Sequence, residues 1–466
     1  MENVSKNRTP LFTRDRSFYV SLFALAVPVA LQNLITFAVS FADNLMVSSL
    51  GDSAVSGVYM GSQIQTFLQM FSGGVEGAIL VLSAQYWGKN DKLSIKRIIS
   101  IGTHFSLIFG LLLTAVCALL PSTVIGVFTR DADVIADGAV YLRIVCFSYA
   151  FFCVTQALIA SMRSVEAARI GMTVSAISLV VNISLNYALI FGRFGLPALG
   201  VRGAAAATFI SRIVETLVMV FYVFRVDKRL CLRPSDFLKT DSVLRKDFIR
   251  YGLPIIGGNV VWSVNLMGNS VILGRFNQSV IAAASVANNL NSLAYVTMNG
   301  MSSAVGIITG KTVGAGKTEL MKEYAKTTQI LFFAMGLVTG AALFLLRGPF
   351  ISLYSGITPV AADYARQFCT VLSVTIIGTC YQAACLFGLV KSGGDISFVF
   401  KNDMIFVFGV VLPSAVIALL LGAPAWVVFA CLKCDQILKC IVAVFKINSF
   451  NWMKNLTRDR EEQNIG

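Results

Sequence analysis

FYVSLFALAVPVALQNLITFAVSFADNLMV, residues 18–47, decides the fold. The stretch holds one charged residue, Asp43, and an apolar run of about 20 residues is enough to cross the hydrocarbon core of a bilayer as a helix. It is too long for a signal-peptide core and no small-residue cleavage site follows it, so it reads as a retained first span. The rest of the chain has the same character: of 466 residues, 56% are hydrophobic and 13% charged, with mean hydropathy +0.74. Inside lipid every backbone N–H and C=O needs an internal partner, which leaves helices or closed barrels. Alternation at period two is absent, so helices are expected: an all-α polytopic membrane protein.

Breaking the chain at charged, Gly/Pro and polar clusters predicts twelve transmembrane helices, near 18–47, 54–84, 94–120, 134–162, 170–192, 200–224, 247–275, 280–310, 323–346, 360–390, 397–421 and 424–447. Most of the 38 Lys and Arg fall in the termini and in the loops after even-numbered spans. Short basic loops stay on the cytoplasmic side, so both termini are expected in the cytosol and the chain in the plasma membrane. The net charge of +14 is then a record of topology. A nucleic-acid partner would need those cations gathered on one soluble face, and the chain has no soluble domain of that size. The ten cysteines lie mostly inside apolar runs, as small hydrophobes do, and Cys431-x-x-Cys434 has no second ligand pair for a metal.

The longest polar linker, RVDKRLCLRPSDFLKTDSVLRKDFIR (225–250), divides the spans six and six. Sliding the second half against the first by 226 positions pairs Pro28 with Pro254, Asn33 with Asn259, Gly88 with Gly314 and Gln156 with Gln382. One ungapped offset joining these landmarks indicates an internal repeat. The expected organisation is an N-terminal lobe (1–225), a cytoplasmic linker (226–250) and a C-terminal lobe (251–466), two six-helix bundles related by a pseudo-two-fold axis along the membrane normal. The repeat also explains GKTVGAGKT (310–318), which has the look of a phosphate-binding loop. Five residues instead of four separate Gly310 from Gly316, and an apolar helix precedes it where a strand belongs. Its counterpart is AQYWGKNDK (84–92), so both read as the turn after the second helix of a six-helix unit.

Ionisable side chains deep in lipid are costly and mark candidate sites. Asp43 is the first: a carboxyl group in low dielectric resists ionisation while a nearby cation or donor favours it, so such a group exchanges a proton near neutrality. At offset 226 its counterpart is Asn269, which leaves the charge in one lobe. Glu76, in FSGGVEGAILV, either lines an anionic cavity wall or makes a hydrogen-bonded helix contact, its glycines allowing close approach in both cases. Asn182 and Asn186 lie four apart on one helix face and serve either as oxygen ligands and partners for Asp43 or as interhelical glue. Pro28 and Pro254 sit inside helices, where each produces a kink that is a hinge or a static bend. His104, the one histidine, suits a packed polar group. Abundant Phe, Tyr and Met permit adaptable binding of flat apolar compounds, though Phe-rich helices also face lipid.

These landmarks together resemble the multidrug and toxic compound extrusion (MATE) family. The similar features are Pro28-x4-Asn33 with Asp43 near the end of the first helix, AQYWGKNDK after the second, NISLNYALIFGRFGLPALGVRGAAAAT (182–208) and Lys391-Ser-Gly-Gly-Asp395 after the tenth. The resemblance covers essentially the full chain. It implies alternating-access antiport, in which H⁺ or Na⁺ enters while organic cations or other amphiphiles leave. No cofactor is expected, and the protein is expected to be a monomer in the bilayer. The resemblance also implies an ion-coupling site at Asp43, Asn182, Asn186 and Thr208. Asn33, Glu76, Gln156, Asn259, Asn269 and Gln382 are the candidate substrate-cavity residues, in a cavity between the lobes. Asn186 stands where some members carry a second acid. The C-terminal carboxylates of another branch are missing, since the seventh helix offers only Asn259, Asn265 and Asn269 and the tenth has no acid after Asp363.

The alternative is a lipid-linked oligosaccharide or lipid flippase of related fold, whose cavity would be strongly cationic. An enzyme would need a His, Asp or Cys cluster at the interface, and a receptor or scaffold would need larger soluble loops. Neither is visible.

Overall fold

The computed structural model describes residues 12–47, 50, 52–128, 131–195, 197–239, 241–352, 354 and 358–458. Among them the chain is helical without strands, and one isolated bridge pairs Gly394 with Met453. Helices occupy all twelve expected positions. The first three are α1 (Arg16–Val47), α2 (Asp52–Gly88) and α3 (Lys92–Leu119). A short α4 (Pro121–Gly126) leads to the fourth, formed by α5 (Ala132–Val145) and α6 (Ser148–Ser164) with a 53° bend between them. The fifth and sixth are α7 (Arg169–Phe191) and α8 (Val201–Phe221), the latter continuing through a wide π-type turn to Val226. After the linker come α9 (Ser242–Leu273), α10 (Gln278–Gly314), α11 (Thr318–Ser352) and α12 (Pro359–Gln382), which widens over Ala383–Lys391. The eleventh comprises α13 (Ile396–Phe406) and α14 (Leu412–Leu420), the twelfth α15 (Ala425–Cys431) and α16 (Asp435–Asn448).

By length and apolarity alone, nine of the described helices can cross a membrane, or ten with α5–α6 as one span. The eighth and twelfth positions miss that test for visible reasons. Asn288, Asn289, Asn291 and Asn299 lower the hydropathy of α10, and the twelfth is split into two short helices.

The turns explain two of the motifs. In AQYWGKNDK, Asn90 adopts a left-handed conformation (φ 60°) and Asp91 caps α3, its carboxylate accepting from the Ser94 amide and, at 2.6 Å, from the Ser94 hydroxyl. In GKTVGAGKT, α10 ends at Gly314, Gly316 turns the chain at φ 72°, and α11 begins at Thr318. The lysine-bearing loop is a helix–helix turn.

The chain divides into two compact units, Met1–Ala30 with Val260–Thr457 and Leu31–Asn259 with Arg458–Gly466. The boundaries fall inside α1 and α9, shortly after Pro28 and Pro254, whereas the sequence draws its lobes around the 226–250 linker. The first unit has its core in α10, α12 and α15, where Phe368 stacks on Phe429 at 4.4 Å. The second is built around Leu68, Leu142, Tyr149 and Phe152. In this second unit α9 lies close on α2, because a Cβ on Gly74 or Gly77 would stand 2.7 Å or 2.9 Å from Ile256 or Ile255.

Candidate ion-coupling site

The site grows out of the α7–α8 hairpin. Gly192 ends α7 in the left-handed region (φ 66°), and the Leu199 amide returns to the Leu189 carbonyl at 2.9 Å. Gly203 then lets α8 lie against α7: a Cβ there would be 2.5 Å from the Leu189 carbonyl oxygen. The alanines after it, of which Ala205 and Ala207 are fully buried, keep the contact tight. The GLPALGVRGAAAAT signature is thus what brings two helices close enough for their polar faces to meet. On α7 that face carries Ser178, Asn182 and Asn186, one turn apart each. On α8 it carries Thr208, Arg212 and Glu215.

Asp43 of α1 sits at one end of this seam, half-buried. Asn186 Nδ2 donates to Asp43 Oδ1 at 2.5 Å and to Asn182 Oδ1 at 3.2 Å. Asn182 and Arg212 both stand close enough to act on the same carboxylate. Tyr141 of α5, its ring seated where Gly61 has no side chain, stands near Thr208 and the same carboxylate. Asn182 and Asn186 are each 1% exposed, and Asn186 Oδ1 is left without a partner. Buried polar atoms are nearly always paired, so this leftover acceptor beside a carboxylate sets the seam apart. All four residues that the sequence assigns to ion coupling therefore lie together in one unit.

The other candidates are more dispersed. Glu76 is half-buried and accepts from Ser72 Oγ at 3.4 Å, with Arg163 within electrostatic reach. Arg163 in turn donates to Gln32 Oε1 of α1 at 2.6 Å, which ties α6 to α1. Asn33 and Gln156 are half-buried. Asn259 Nδ2 donates to the Met70 carbonyl at 3.1 Å, a bond that ties α9 to α2. In the other unit, Asn269 is buried with Oδ1 unpaired, and Gln382 Nε2 donates to Gln436 Oε1 across α12 and α16. His104 Nδ1 lies 2.7 Å from the Ser100 carbonyl, as a packed polar group does.

Sequence reasoning missed several charges. Deep charge is not confined to one half, because in the first unit Lys439 bridges Asp403 at 2.9 Å and Asp435 at 3.1 Å, all three buried. These acids occur on the eleventh and twelfth spans, away from the positions where the offset looks for them. The Asp435-x3-Lys439 spacing was the available signal, since residues four apart on a helix pair. Glu215, which pairs with Arg212 at 2.6 Å, was missed in the same way.

Comparison with known proteins identifies the family. Its sequence model, MatE, matches residues 28–188 and 254–417. The chain belongs to the MatE (MATE) family. Among curated relatives, the probable multidrug resistance protein NorM of Thermotoga maritima is 25% identical over 335 residues, 72% of each chain. The multidrug resistance protein MdtK of Edwardsiella ictaluri is 28% identical over 339 residues, 72% of this chain and 74% of the relative. Among solved structures, a mutant of the Vibrio cholerae MATE transporter VcmN superposes with TM-score 0.85 at 16% identity, covering 94% of this chain and 98% of that one. A MOP superfamily transporter from Pyrococcus furiosus gives 0.82 at 18% identity, covering 92% and 96%. At such identities the likeness shows that this chain has the MATE fold. MATE proteins are membrane transporters, so this one is a transporter and not an enzyme.

Proposed function

We propose that this MATE protein is a secondary-active multidrug efflux antiporter that exports organic cations or other amphiphiles in exchange for H⁺ or Na⁺ by alternating access. The observation that carries this reading is the Asp43 carboxylate, held by Asn186 next to the unpaired Asn186 oxygen, with Asn182 bonded to the same amide nitrogen. The names of the relatives, multidrug resistance proteins NorM and MdtK, support the cargo class.

Asp43 carries the negative charge that an incoming ion or an organic cation neutralises, but not both at once. Asn182, Asn186 and Thr208 supply the oxygens and N–H donors that hold the ion or reorganise when Asp43 loses its charge. Neutralisation weakens the charge-assisted bond from Asn186, which frees the end of α1 to shift. Pro28, which interrupts the hydrogen-bond ladder of α1, and Pro254 in α9 provide the bends about which the lobes 1–225 and 251–466 change conformation. Asn33, Glu76, Gln156 and Asn269 are the polar residues offered to cargo. Asn259 and Gln382 already make hydrogen bonds that tie helices together, which suits packing better. The protein acts as a monomer in the plasma membrane with both termini in the cytosol.

The flippase alternative is less well supported. Two half-buried arginines of the second unit stand beside a carboxyl group, Arg212 with Glu215 and Arg163 near Glu76, which offsets their charge.

The test uses purified protein in vesicles with a fluorescent lipophilic cation such as ethidium. Either an imposed inward pH gradient or an inward sodium gradient is expected to drive dye out. If neither gradient moves dye while the protein remains folded, the antiport reading is wrong.

A further inference from the structure

The polar seam continues past Thr208. One and two turns further along α8 come Arg212 and Glu215. Arg212 Nη1 donates to Glu215 Oε2 at 2.6 Å, and Ser178 Oγ of α7 reaches the same oxygen at 3.5 Å. The guanidinium lies over the Phe152 ring, 4.9 Å from its centroid, and the side chains of Arg212 and Glu215 are only 14% and 4% exposed. Asp43 lies near the same guanidinium, within electrostatic reach. Two carboxyl groups, those of Asp43 and Glu215, therefore stand near one guanidinium.

We propose that Arg212 is an internal counter-ion that competes with the coupling ion for Asp43, and that Glu215 holds it away from Asp43 while the ion is bound. The proposal rests on Asp43 being the coupling carboxylate. A guanidinium keeps its proton under all working conditions, so a buried one always requires an anionic partner. Arginine has a long side chain with several rotatable bonds; here Glu215 holds it, while Asp43, bonded to Asn186 further along the same α7–α8 seam, lies within its electrostatic range. When an ion or cargo cation sits on Asp43, Arg212 pairs with Glu215. When Asp43 is vacated, the guanidinium is drawn toward it, which weakens rebinding and favours release. No covalent step is involved. Arg212 and Glu215 act through Asp43 and are positioning residues.

The experiment measures ethidium efflux from proteoliposomes against the concentration of whichever ion drives the wild-type protein. In Glu215→Gln, Arg212 loses its holding partner and settles on Asp43, so the half-saturating ion concentration rises by about tenfold or more. Arg212→Gln removes the competitor and shifts it about tenfold the other way. The Arg212→Gln/Glu215→Gln double variant recovers from the Glu215→Gln defect, because nothing remains to occupy Asp43. Thermal unfolding is followed in parallel. An ion pair that only braces α8 would lower stability in both single variants and leave the half-saturating concentration unchanged, and that result overturns the proposal. If Glu215→Gln does not fold, Arg212→Gln alone decides, with an unchanged ion dependence counting against the competitor. Asp43→Asn separates the two levels. Full gradient-driven efflux in that variant removes the coupling-site reading, whereas its loss together with a wild-type ion dependence in Glu215→Gln removes only the counter-ion.

Discussion

At the scale of single residues, the Asp43 site depends on donors supplied by α7. Asn186 is the main one, bonding both Asp43 and Asn182 through one amide nitrogen. Replacing it with leucine keeps the volume and removes the donor, leaving Asp43 short of a hydrogen bond worth about 1.5–3 kcal/mol. Asn186→Leu is therefore expected to change the ion concentration for half-maximal efflux by about 10- to 100-fold, in a protein that still folds at the assay temperature. An unchanged ion dependence would place the coupling carboxylate elsewhere. Asp43, Asn182 and Asn186 were legible because a lone acid and two amides at helical spacing stand out in an apolar run. Thr208 came from the family resemblance alone. Tyr141 could not be found from sequence, because nothing in α5 says that its ring fits the space left by Gly61 of α2. Glu215 was readable in principle, as a carboxylate inside the sixth span with Arg212 three residues before it.

At the scale of elements, the site is only as good as the α7–α8 contact. Gly203→Ala puts a methyl group 2.5 Å from the Leu189 carbonyl oxygen, so the two helices must separate. The expected cost is about 1–3 kcal/mol of stability together with reduced efflux, since the polar face of α8 that carries Thr208 is moved away from that of α7. Unfolding in detergent and dye efflux measure the two effects separately. By contrast, Asp91→Ala removes the cap of α3 far along the chain from the seam. It should cost about 1 kcal/mol of stability and leave the ion dependence of efflux unchanged. Helix positions were clear in the sequence because the apolar runs are long and loops are charged. The bent fourth span and the split eleventh and twelfth were not, because periodicity reports burial and says little about breaks inside an apolar run. The split twelfth also hid the Asp435–Lys439 pair, which lies just after the break.

At the scale of the whole molecule, the repeat and the count of six plus six could be read from one offset, whereas the units that pack together could not. Their boundaries lie within α1 and α9, and contacts of that kind leave no mark in composition. The C-terminal segment offers a test of the first unit. Asp395, before α13, is bridged by Lys446 at 2.7 Å and Lys454 at 2.8 Å. Burial opposes its ionisation, but the two lysines outweigh burial and hold the carboxyl below its ordinary range. A carboxylate held low stabilises the fold above its unfolded value, near pH 4, and that contribution is lost as pH falls through the lowered folded value. Stability should thus decline below about pH 4, and Asp395→Asn should show a loss on the order of 1–3 kcal/mol already at neutral pH. Thermal unfolding of both proteins across pH 3–7 checks this. The proposal that transport turns on Asp43 is addressed directly by one comparison: ethidium efflux by wild type and Asp43→Asn in vesicles under the same imposed ion gradient. The account predicts that the variant folds normally but no longer responds to the gradient. Efflux by Asp43→Asn at the wild-type rate, with the same dependence on the gradient, would contradict it.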